Sequence, residues 1–355
     1  MTRAAIKIDR RTFLFSTLAA AACSRSTERA APLRKGAQFL WSQQSGDGAF
    51  RSRTYVAMRS GQSLTPFCLN SLLQVPESIL PLPAGAIDRA LDFIQRNVNA
   101  DGMLGLMDTT SPDYPNYATA LAVRAIIRAK RASWQQDMAP MVAALRTRQL
   151  TEDHGWKPDD PAYGAWGAGD TIPTAPNAGH VGISTVRFVL DALAAAGVPG
   201  ADPMMHRAVT FLKKLQNPDG GFFFSNVNPE ANKAGGANGS FASYGSATAD
   251  GLLALVAAGV PEDDDRVNRA RTWLYNNHHP DRACGLDAPA NRAYATGLRF
   301  YYGAAVTKAS PGLPVLLPIQ KPDGSWRNSN NIVKEDDPLI ATACALVILR
   351  PDVGD

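Results

Sequence analysis

The sequence predicts an all-α protein, an (α/α)6 toroid of six helical hairpins. A helix followed by a glycine turn recurs along the chain, and a second helix rich in small residues follows each turn. No stretch of 18 or more apolar residues occurs, which excludes a spanning helix. The first helix of each hairpin has one polar face, whereas the second is apolar around most of its circumference. Closing the hairpins into a ring would bury the second helices best.

The N-terminal segment, residues 1–23, is predicted to be an export signal. Arg10 and Arg11 precede a short apolar run at 13–22, the pattern of twin-arginine signals. Cys23 follows three alanines and resembles a lipobox cysteine, which is lipidated after cleavage; the alternative is an ordinary cleaved signal with a bystander cysteine. Residues 24–33 are then a tether and residues 34–355 a single toroid domain. We expect a protein on the periplasmic side or cell surface, held to the membrane only through its lipid.

Composition narrows the classes of partner. The 355 residues are 45% hydrophobic and 19% charged, enough apolar mass for a large core. The net charge is +4, of which residues 1–23 supply +3, leaving +1 on the remainder. Residues 24–355 therefore lack the excess of positive charge that nucleic-acid binding requires. The expected partners are the twin-arginine translocase during export and a hydrophobic small molecule. The cysteines lack metal-ligand spacing, so neither a metal nor a cofactor is predicted.

The repeat is clearest in three elements, each with a Gln, an Asp-Gly turn and an aromatic residue. They are Gln44–Phe50, Gln216–Phe222 and Gln320–Trp326; weaker copies span 90–102, 141–156 and 270–286. Glycine permits the positive φ that ends a helix, and Asp bonds the local backbone of such a turn. Each copy is therefore predicted to be an amphipathic helix that ends in a tight turn.

The second helices share small residues around a threonine. They are predicted at Leu64–Val75, Asn116–Ala129, His180–Gly197, Tyr244–Val260, Arg292–Ala305 and Pro338–Leu349. A closed ring would place the first and last of them side by side. Cys68 and Cys344 then lie on neighbouring helices, where a disulfide would need Cα atoms within about 7 Å.

The Gln-x-x-Asp-Gly-x-aromatic elements resemble the QW motifs of squalene–hopene cyclases and the repeats of protein prenyltransferase β subunits. The resemblance spans residues 35–350, and segments 160–167 and 243–250 resemble exported bacterial prenyltransferase and squalene oxidase repeat proteins. It implies the toroid fold and a structural role for the motif. The glutamine would tie each turn to a neighbouring helix end, its amide oxygen accepting from free N–H groups.

The catalytic signatures of these enzymes are missing. The string nearest to the Asp-x-Asp-Asp acid of type II terpene cyclases is Glu262 to Asp265, and it is predicted to begin a helix, where acidic residues complement the helix dipole. The stretch that corresponds to the prenyltransferase zinc site, 240–244, contains neither Cys nor Asp. Whether the protein is an enzyme is therefore left open.

Two groups of residues are candidates for a site. A long loop at 159–180 supplies Tyr163, Trp166, Asp170 and His180 near one mouth of the ring, where they could bind a ligand or simply cover the core. Alignment on the shared threonine places Arg187 and Asp250 at the same height on neighbouring inner helices. They are predicted to form either a buried ion pair that lowers the Asp pKa or a polar cavity floor.

The predicted cavity residues are Tyr163, Trp166, Arg187, Tyr244 and Asp250, and the weak catalytic candidates are Asp250, Asp170 and His180. The leading hypothesis is a module that binds an isoprenoid-like ligand in a central cavity. The alternatives are a terpenoid- or polysaccharide-processing enzyme, such as a cyclase or lyase, and a scaffold that binds another protein.

The double variant Arg10→Lys/Arg11→Lys tests the export signal. We expect the precursor to stay in the cytoplasm, because the twin-arginine pathway recognises the guanidinium pair. Cell fractionation measures the outcome, and labelling with a radioactive fatty acid tests Cys23 separately. Undiminished export of the double variant would instead indicate the general secretory route.

Overall fold

The computed structural model describes residues 29–106, 113–237 and 240–350. Arg10, Arg11 and Cys23 of the predicted signal lie outside these residues. Helices dominate the described ranges, and the predicted all-α class is confirmed. A two-stranded antiparallel ribbon, β1 Gly236–Ala237 and β2 Ser240–Phe241, is the sheet formed there. None of the described helices has the length and apolar character that a membrane span requires.

Outer and inner helices alternate along the chain. The outer helices are α1 29–42, α3 Ala86–Asn97, α5 Met138–Thr147, α7 Pro203–Leu215 and α9 Asp265–Asn277. The inner helices are α2 Leu64–Leu72, α4 Pro115–Ala129, α6 Ile183–Ala195, α8 Gly245–Ala257, α10 Arg292–Gly297 with α11 Arg299–Ala309, and α12 Pro338–Leu349. Short 3-10 helices occupy Val56–Met58, Ala132–Asp137, Glu152–His154 and Pro229–Ala231. Helix α1 overlaps the predicted tether, and Leu33 within it is fully buried.

The inner helices contact one another in cyclic order. Helix α2 packs on α4, α4 on α6, α6 on α8, α8 on α11, α11 on α12, and α12 on α2 again. This closure brings Cys68 and Cys344 onto adjacent helices, as expected, but both thiols are buried and free. The seam between the first and last hairpins is therefore held by packing and not by a disulfide.

The last two hairpins depart from the regular pattern. Residues 311–320, where the sixth outer helix was expected, are not helical. Pro311, Pro314 and Pro318 explain this, because each lacks an N–H donor and restricts the preceding residue. The fifth inner helix is interrupted at Leu298, which separates α10 from α11.

A glutamine in each clear repeat joins a turn to the next outer helix. The amide nitrogen of Gln44 donates to the carbonyls of Gly48 at 3.1 Å and Ala86 at 2.8 Å. Two further glutamines make equivalent pairs of bonds, Gln216 to Gly220 and Arg266, and Gln320 to Gly324 and Pro32. We call this arrangement the glutamine clamp. It corrects the expectation that the amide oxygen would accept from helix N–H groups.

The third repeat has the same clamp in a displaced position. Gln149 donates to the carbonyls of Gly164 at 3.0 Å and Met204 at 2.9 Å. The turn glycine of this repeat is thus Gly164, which lies beyond the copy predicted at 141–156, because extra residues stand between the glutamine and its turn. Gly164 has φ +85°, and a Cβ there would lie 2.0 Å from the carbonyl oxygen of Arg207. Only glycine allows the turn to approach α7 so closely.

A threonine in several inner helices fastens the turn of its own hairpin. The N–H of Phe222 donates to the hydroxyl of Thr248 at 2.9 Å, and the N–H of Trp326 donates to Thr342 at 2.9 Å. Two further bonds repeat the pattern, Phe50 to Thr65 and Leu104 to Thr119. These bonds give the shared threonine of the sequence a structural role.

The acidic string begins a helix, as predicted. Asp264 accepts a hydrogen bond from the N–H of Arg266 at 2.9 Å and so caps α9. Its side-chain hydrogen bond with Arg266 lowers the pKa of Asp264 to about 2. The acidic residues 262–265 therefore have a structural role, since Asp264 caps the N-terminus of α9.

Thr248→Val tests the turn bond. Phe222 is fully buried, so its N–H would lose its partner, and we expect unfolding to cost about 1–3 kcal/mol less than in the wild type. The matched control is Thr210→Val on α7, where the hydroxyl bonds the carbonyl of His206 within its own helix. Denaturant unfolding measures both variants. Equal losses in the two would contradict a special role for the turn bond.

Candidate functional site

A cavity of about 540 Å³ lies at the end of the ring where the inner helices begin. Its walls come from Phe67 of α2, Tyr117 of α4, Thr185 of α6, Ala247 of α8 and Tyr301 of α11. Met58 of a 3-10 helix, Tyr294 of α10 and the loop residues Phe224 and Ile332 are also part of the lining. The volume suits a small molecule, and the aromatic and aliphatic walls favour an apolar one.

The floor of the cavity is formed by Asp250 and its neighbours. The Tyr301 hydroxyl donates to Asp250 Oδ2 at 2.7 Å, and Arg187 Nη1 lies 3.8 Å from Asp250 Oδ1. Arg187 and Asp250 thus lie close together, as the alignment of the inner helices on their shared threonine predicts. At 3.8 Å the two charges attract without a hydrogen bond, and within the described residues Asp250 Oδ1 has no hydrogen-bond partner. Arg187 instead stacks on Phe188, with its guanidinium carbon 4.0 Å from the ring centre.

Burial dominates the ionisation of Asp250. It raises the pKa of this carboxyl to about 6, and the opposing effects of Arg187, the Tyr301 hydroxyl and Lys233 only limit the rise. Arg187 does act to lower this pKa, but the expectation that the ion pair would leave the pKa of Asp250 below its usual value is wrong. The physical reason is that the carboxyl is almost fully removed from water, while its partner stands beyond hydrogen-bond distance.

A second, smaller hollow of about 60 Å³ opens toward the other ends of the inner helices. Arg124, Arg187 and Asp191 are among its lining residues, and Arg124 Nε lies 3.0 Å from Asp191. Phe67 and Tyr301 line both spaces, so these two rings form the partition between them.

Charged groups also stand around the cavity mouth. Lys233 lies over the ring of Phe224, with Nζ 4.6 Å from its centre, and 6.0 Å from that of Tyr294. His180 lines the same region, 5.9 Å from the Phe224 ring centre. Burial, followed by the charge of Lys233, lowers the pKa of His180, which favours the neutral imidazole at pH 7.

Glu335 lines the cavity, but its carboxylate is hydrogen-bonded to the interrupted fifth inner helix. Its carboxylate accepts from the N–H groups of Phe300 at 2.9 Å and Tyr301 at 2.7 Å, at the start of α11. These bonds satisfy donors that the break at Leu298 would otherwise leave unpaired. Burial raises the pKa of Glu335 to about 7.

Of the predicted cavity residues, Tyr244 and Asp250 line the cavity, and so does the catalytic candidate His180. Arg187 lines the smaller hollow. Three predicted site residues do not line either space, and their placement corrects the expectation drawn from the long loop: Tyr163, Trp166 and Asp170.

The reasons differ for the three residues. Trp166 is the aromatic of the third repeat, fully buried, and its indole N–H donates to the carbonyl of Leu145 at 2.7 Å. The Tyr163 hydroxyl donates to Glu152 at 2.7 Å. Asp170 is exposed on its loop and accepts from the N–H of Thr171 at 2.9 Å. Arg148 holds that loop by donating to the carbonyls of residues 169–171.

Sequence reasoning missed Tyr301, Lys233 and Glu335. Tyr301 follows the break in the fifth inner helix, so alignment of the inner helices on their shared threonine does not place it beside Asp250. Lys233 lies in a loop without periodicity, and Glu335 precedes α12 in an acidic turn that resembles any helix start. Among the described residues, no group of three or more His, Cys, Asp or Glu side chains is placed to hold a metal ion.

The comparisons with known proteins agree with this architecture. Residues 178–291 match the family described as the squalene–hopene cyclase C-terminal domain. The resemblance to the terpene cyclase and prenyltransferase superfamily is confirmed. No significant sequence match was found among curated proteins.

Solved structures share this fold at low sequence identity. A protein from Actinoplanes has a TM-score of 0.58 and 18% identity, covering 91% of this chain and 98% of that one. The type II terpene cyclase MstE from Scytonema, in complex with the product merosterolic acid A, has a TM-score of 0.54 and 16% identity, covering 92% and 97%. A D-mannose isomerase has a TM-score of 0.52 and 12% identity, covering 91% and 97%. These likenesses concern the fold alone.

The raised pKa of Asp250 predicts a pH dependence of stability. A carboxyl whose folded pKa lies above its unfolded value stabilises the fold below the unfolded pKa, and this contribution is lost as the pH rises through about 6. Asp250→Asn removes that titration. Between pH 4 and 7 we expect the variant to gain about 2 kcal/mol relative to the wild type.

Denaturant unfolding at both pH values measures this change. Asp287→Asn is the matched control, because it removes an exposed carboxylate. Its difference from the wild type should stay nearly constant. The same constancy in Asp250→Asn would show that Asp250 does not titrate in this range.

Proposed function

We propose that the protein is an exported, lipid-anchored module that binds a hydrophobic, isoprenoid-like molecule in its central cavity. The observation that carries the proposal is the lining of this cavity, in which aromatic and aliphatic side chains surround two deeply buried acids, Asp250 and Glu335. Apolar walls recognise a hydrocarbon through removal of its surface from water. The twin-arginine pattern and Cys23 support the location, on the sequence grounds given above.

The ligand class also agrees with a structural neighbour. MstE is described with geranylgeranyl dihydroxybenzoate as its substrate, a molecule with a long isoprenoid chain. A sugar ligand would need several polar groups converging on it, whereas the cavity carboxylate of Glu335 is already bonded to backbone N–H groups. This distribution of polar groups favours a lipid over a polysaccharide.

A second candidate function is acid-initiated terpenoid chemistry. Asp250 supports it, because this carboxyl lines the cavity, has a pKa of about 6, and leaves Oδ1 without a hydrogen-bond partner among the described residues. The two functions differ in the fate of the ligand. A binding module returns the isoprenoid unchanged, whereas an enzyme returns a rearranged product.

Ala247→Trp tests the cavity as the binding site. Ala247 is buried at the start of α8 and faces the cavity, so an indole there would occupy part of the ligand's volume. We expect the affinity for geranylgeraniol to fall by about ten-fold or more. Equilibrium dialysis with labelled geranylgeraniol measures it, and native mass spectrometry reports any lipid that co-purifies.

The control variant is Val256→Trp, on the same helix but 36% exposed. It should bind as the wild type does. If Ala247→Trp also retains wild-type affinity, the ligand binds outside the cavity. Chromatography of the recovered isoprenoid then distinguishes the binding module from the enzyme.

A further inference from the structure

We propose that Lys233 binds the carboxylate of an amphiphilic isoprenoid acid at the mouth of the cavity. This inference rests on the proposed function and adds to it the chemistry of the ligand's head group. The argument comes from how Lys233 is held, from what surrounds its ammonium group, and from how the charges of the cavity are distributed.

The loop that carries Lys233 is firmly built. The side chain of its neighbour Asn232 is buried and accepts from the N–H groups of Phe224 at 2.9 Å and Ser225 at 3.0 Å. The same side chain donates to the carbonyl of Ser225 at 2.7 Å. The ribbon β1–β2 follows directly. Lys233 therefore belongs to a segment whose backbone is held by its own hydrogen-bond network. This network fixes the point from which the lysine side chain extends toward the cavity.

The ammonium group of Lys233 lacks a full set of partners. It lies over two aromatic rings and makes a single hydrogen bond, 3.3 Å long, to the carbonyl of Ala231. Within the described ranges no carboxylate lies within ion-pair distance of Nζ. Burial lowers the pKa of Lys233, with the charge of Asp250 opposing this effect. A half-buried cation in this state gains from an anionic group brought by a ligand.

The other charges of the cavity do not supply that anion. Asp250 is engaged by Tyr301 and faced by Arg187, and Glu335 is bonded to backbone N–H groups. Glu230 lines the mouth but is exposed to water. Lys334 also lines the cavity, from a different loop, with Nζ 5.8 Å from the centre of the Tyr55 ring. Lys233 itself matches a single negative charge. A carboxylate supplies it, whereas a phosphate or diphosphate would bring more charge than Lys233 can balance.

The geometry also gives the ligand a direction. The charged mouth near Lys233 and the aromatic walls around Tyr117 and Tyr301 belong to the same cavity. A molecule with its carboxylate at Lys233 would extend its hydrocarbon chain toward the floor. Its head group would then stay close to water while its tail is enclosed.

Matched probes test the head group. Geranylgeranoic acid and its methyl ester share one chain and differ in charge, so equilibrium dialysis at pH 7.5 with each probe isolates the carboxylate. The wild type is expected to bind the acid about 10- to 100-fold more tightly than the ester, the range for a hydrogen bond to a charged group. Lys233→Met should remove this preference, so that the acid and the ester bind with similar affinity.

Two further variants complete the experiment. Lys233→Arg keeps the charge and should retain most of the preference for the acid. Lys213→Met removes an exposed lysine of α7 and should behave as the wild type. Equal binding of acid and ester by the wild type, or a preference that survives in Lys233→Met, overturns the assignment to Lys233. Failure of both probes to bind overturns the proposed function itself, and the head-group assignment with it.

Discussion

The glutamine clamp is the interaction on which the rest of the structure depends. A turn between packed helices exposes carbonyl groups that must find donors once water is excluded. Each clamp glutamine donates one hydrogen from its amide to the turn and the other to the first residues of the next outer helix, as Gln216 does with Gly220 and Arg266. One side chain thereby fixes the end of one hairpin against the start of the next.

This clamp recurs at Gln44, Gln149, Gln216 and Gln320 and so fixes the start of four outer helices. The threonine bond, as between Thr248 and Phe222, ties the same turn to the start of the inner helix that follows. Because one or both of these bonds recur in several hairpins, the beginnings of the inner helices gather at one end of the ring, and the cavity forms there. Where the pattern weakens, other groups replace it; at the break in the fifth inner helix, Glu335 supplies the acceptor that the helix lacks.

The cavity contains two kinds of buried charge with different consequences. Asp250 and Arg187 lie close enough to attract each other, yet Asp250 remains partly unsatisfied and its pKa rises to about 6. Lys233 has aromatic neighbours in place of an acid. A fold maintained only for its own stability would gain by replacing such groups with apolar ones. Their presence in one cavity supports the proposal that it holds a ligand, whereas the shared fold of a terpene cyclase and a D-mannose isomerase assigns no ligand.

The sequence by itself determined the helical class, the order of the hairpins and the residues at their turns, because the repeat depends on local contacts between neighbours in the chain. It also placed Arg187 and Asp250 at one height, since both follow a shared threonine by two residues. The tertiary structure decided how deeply these groups are buried and therefore how they ionise. Burial outweighs the attraction of Arg187 at Asp250, and the displaced clamp of Gln149 turns Trp166 from a predicted cavity residue into a core residue. Desolvation and the course of long loops depend on residues distant in the chain, so no local pattern could reveal them or the position of Lys233.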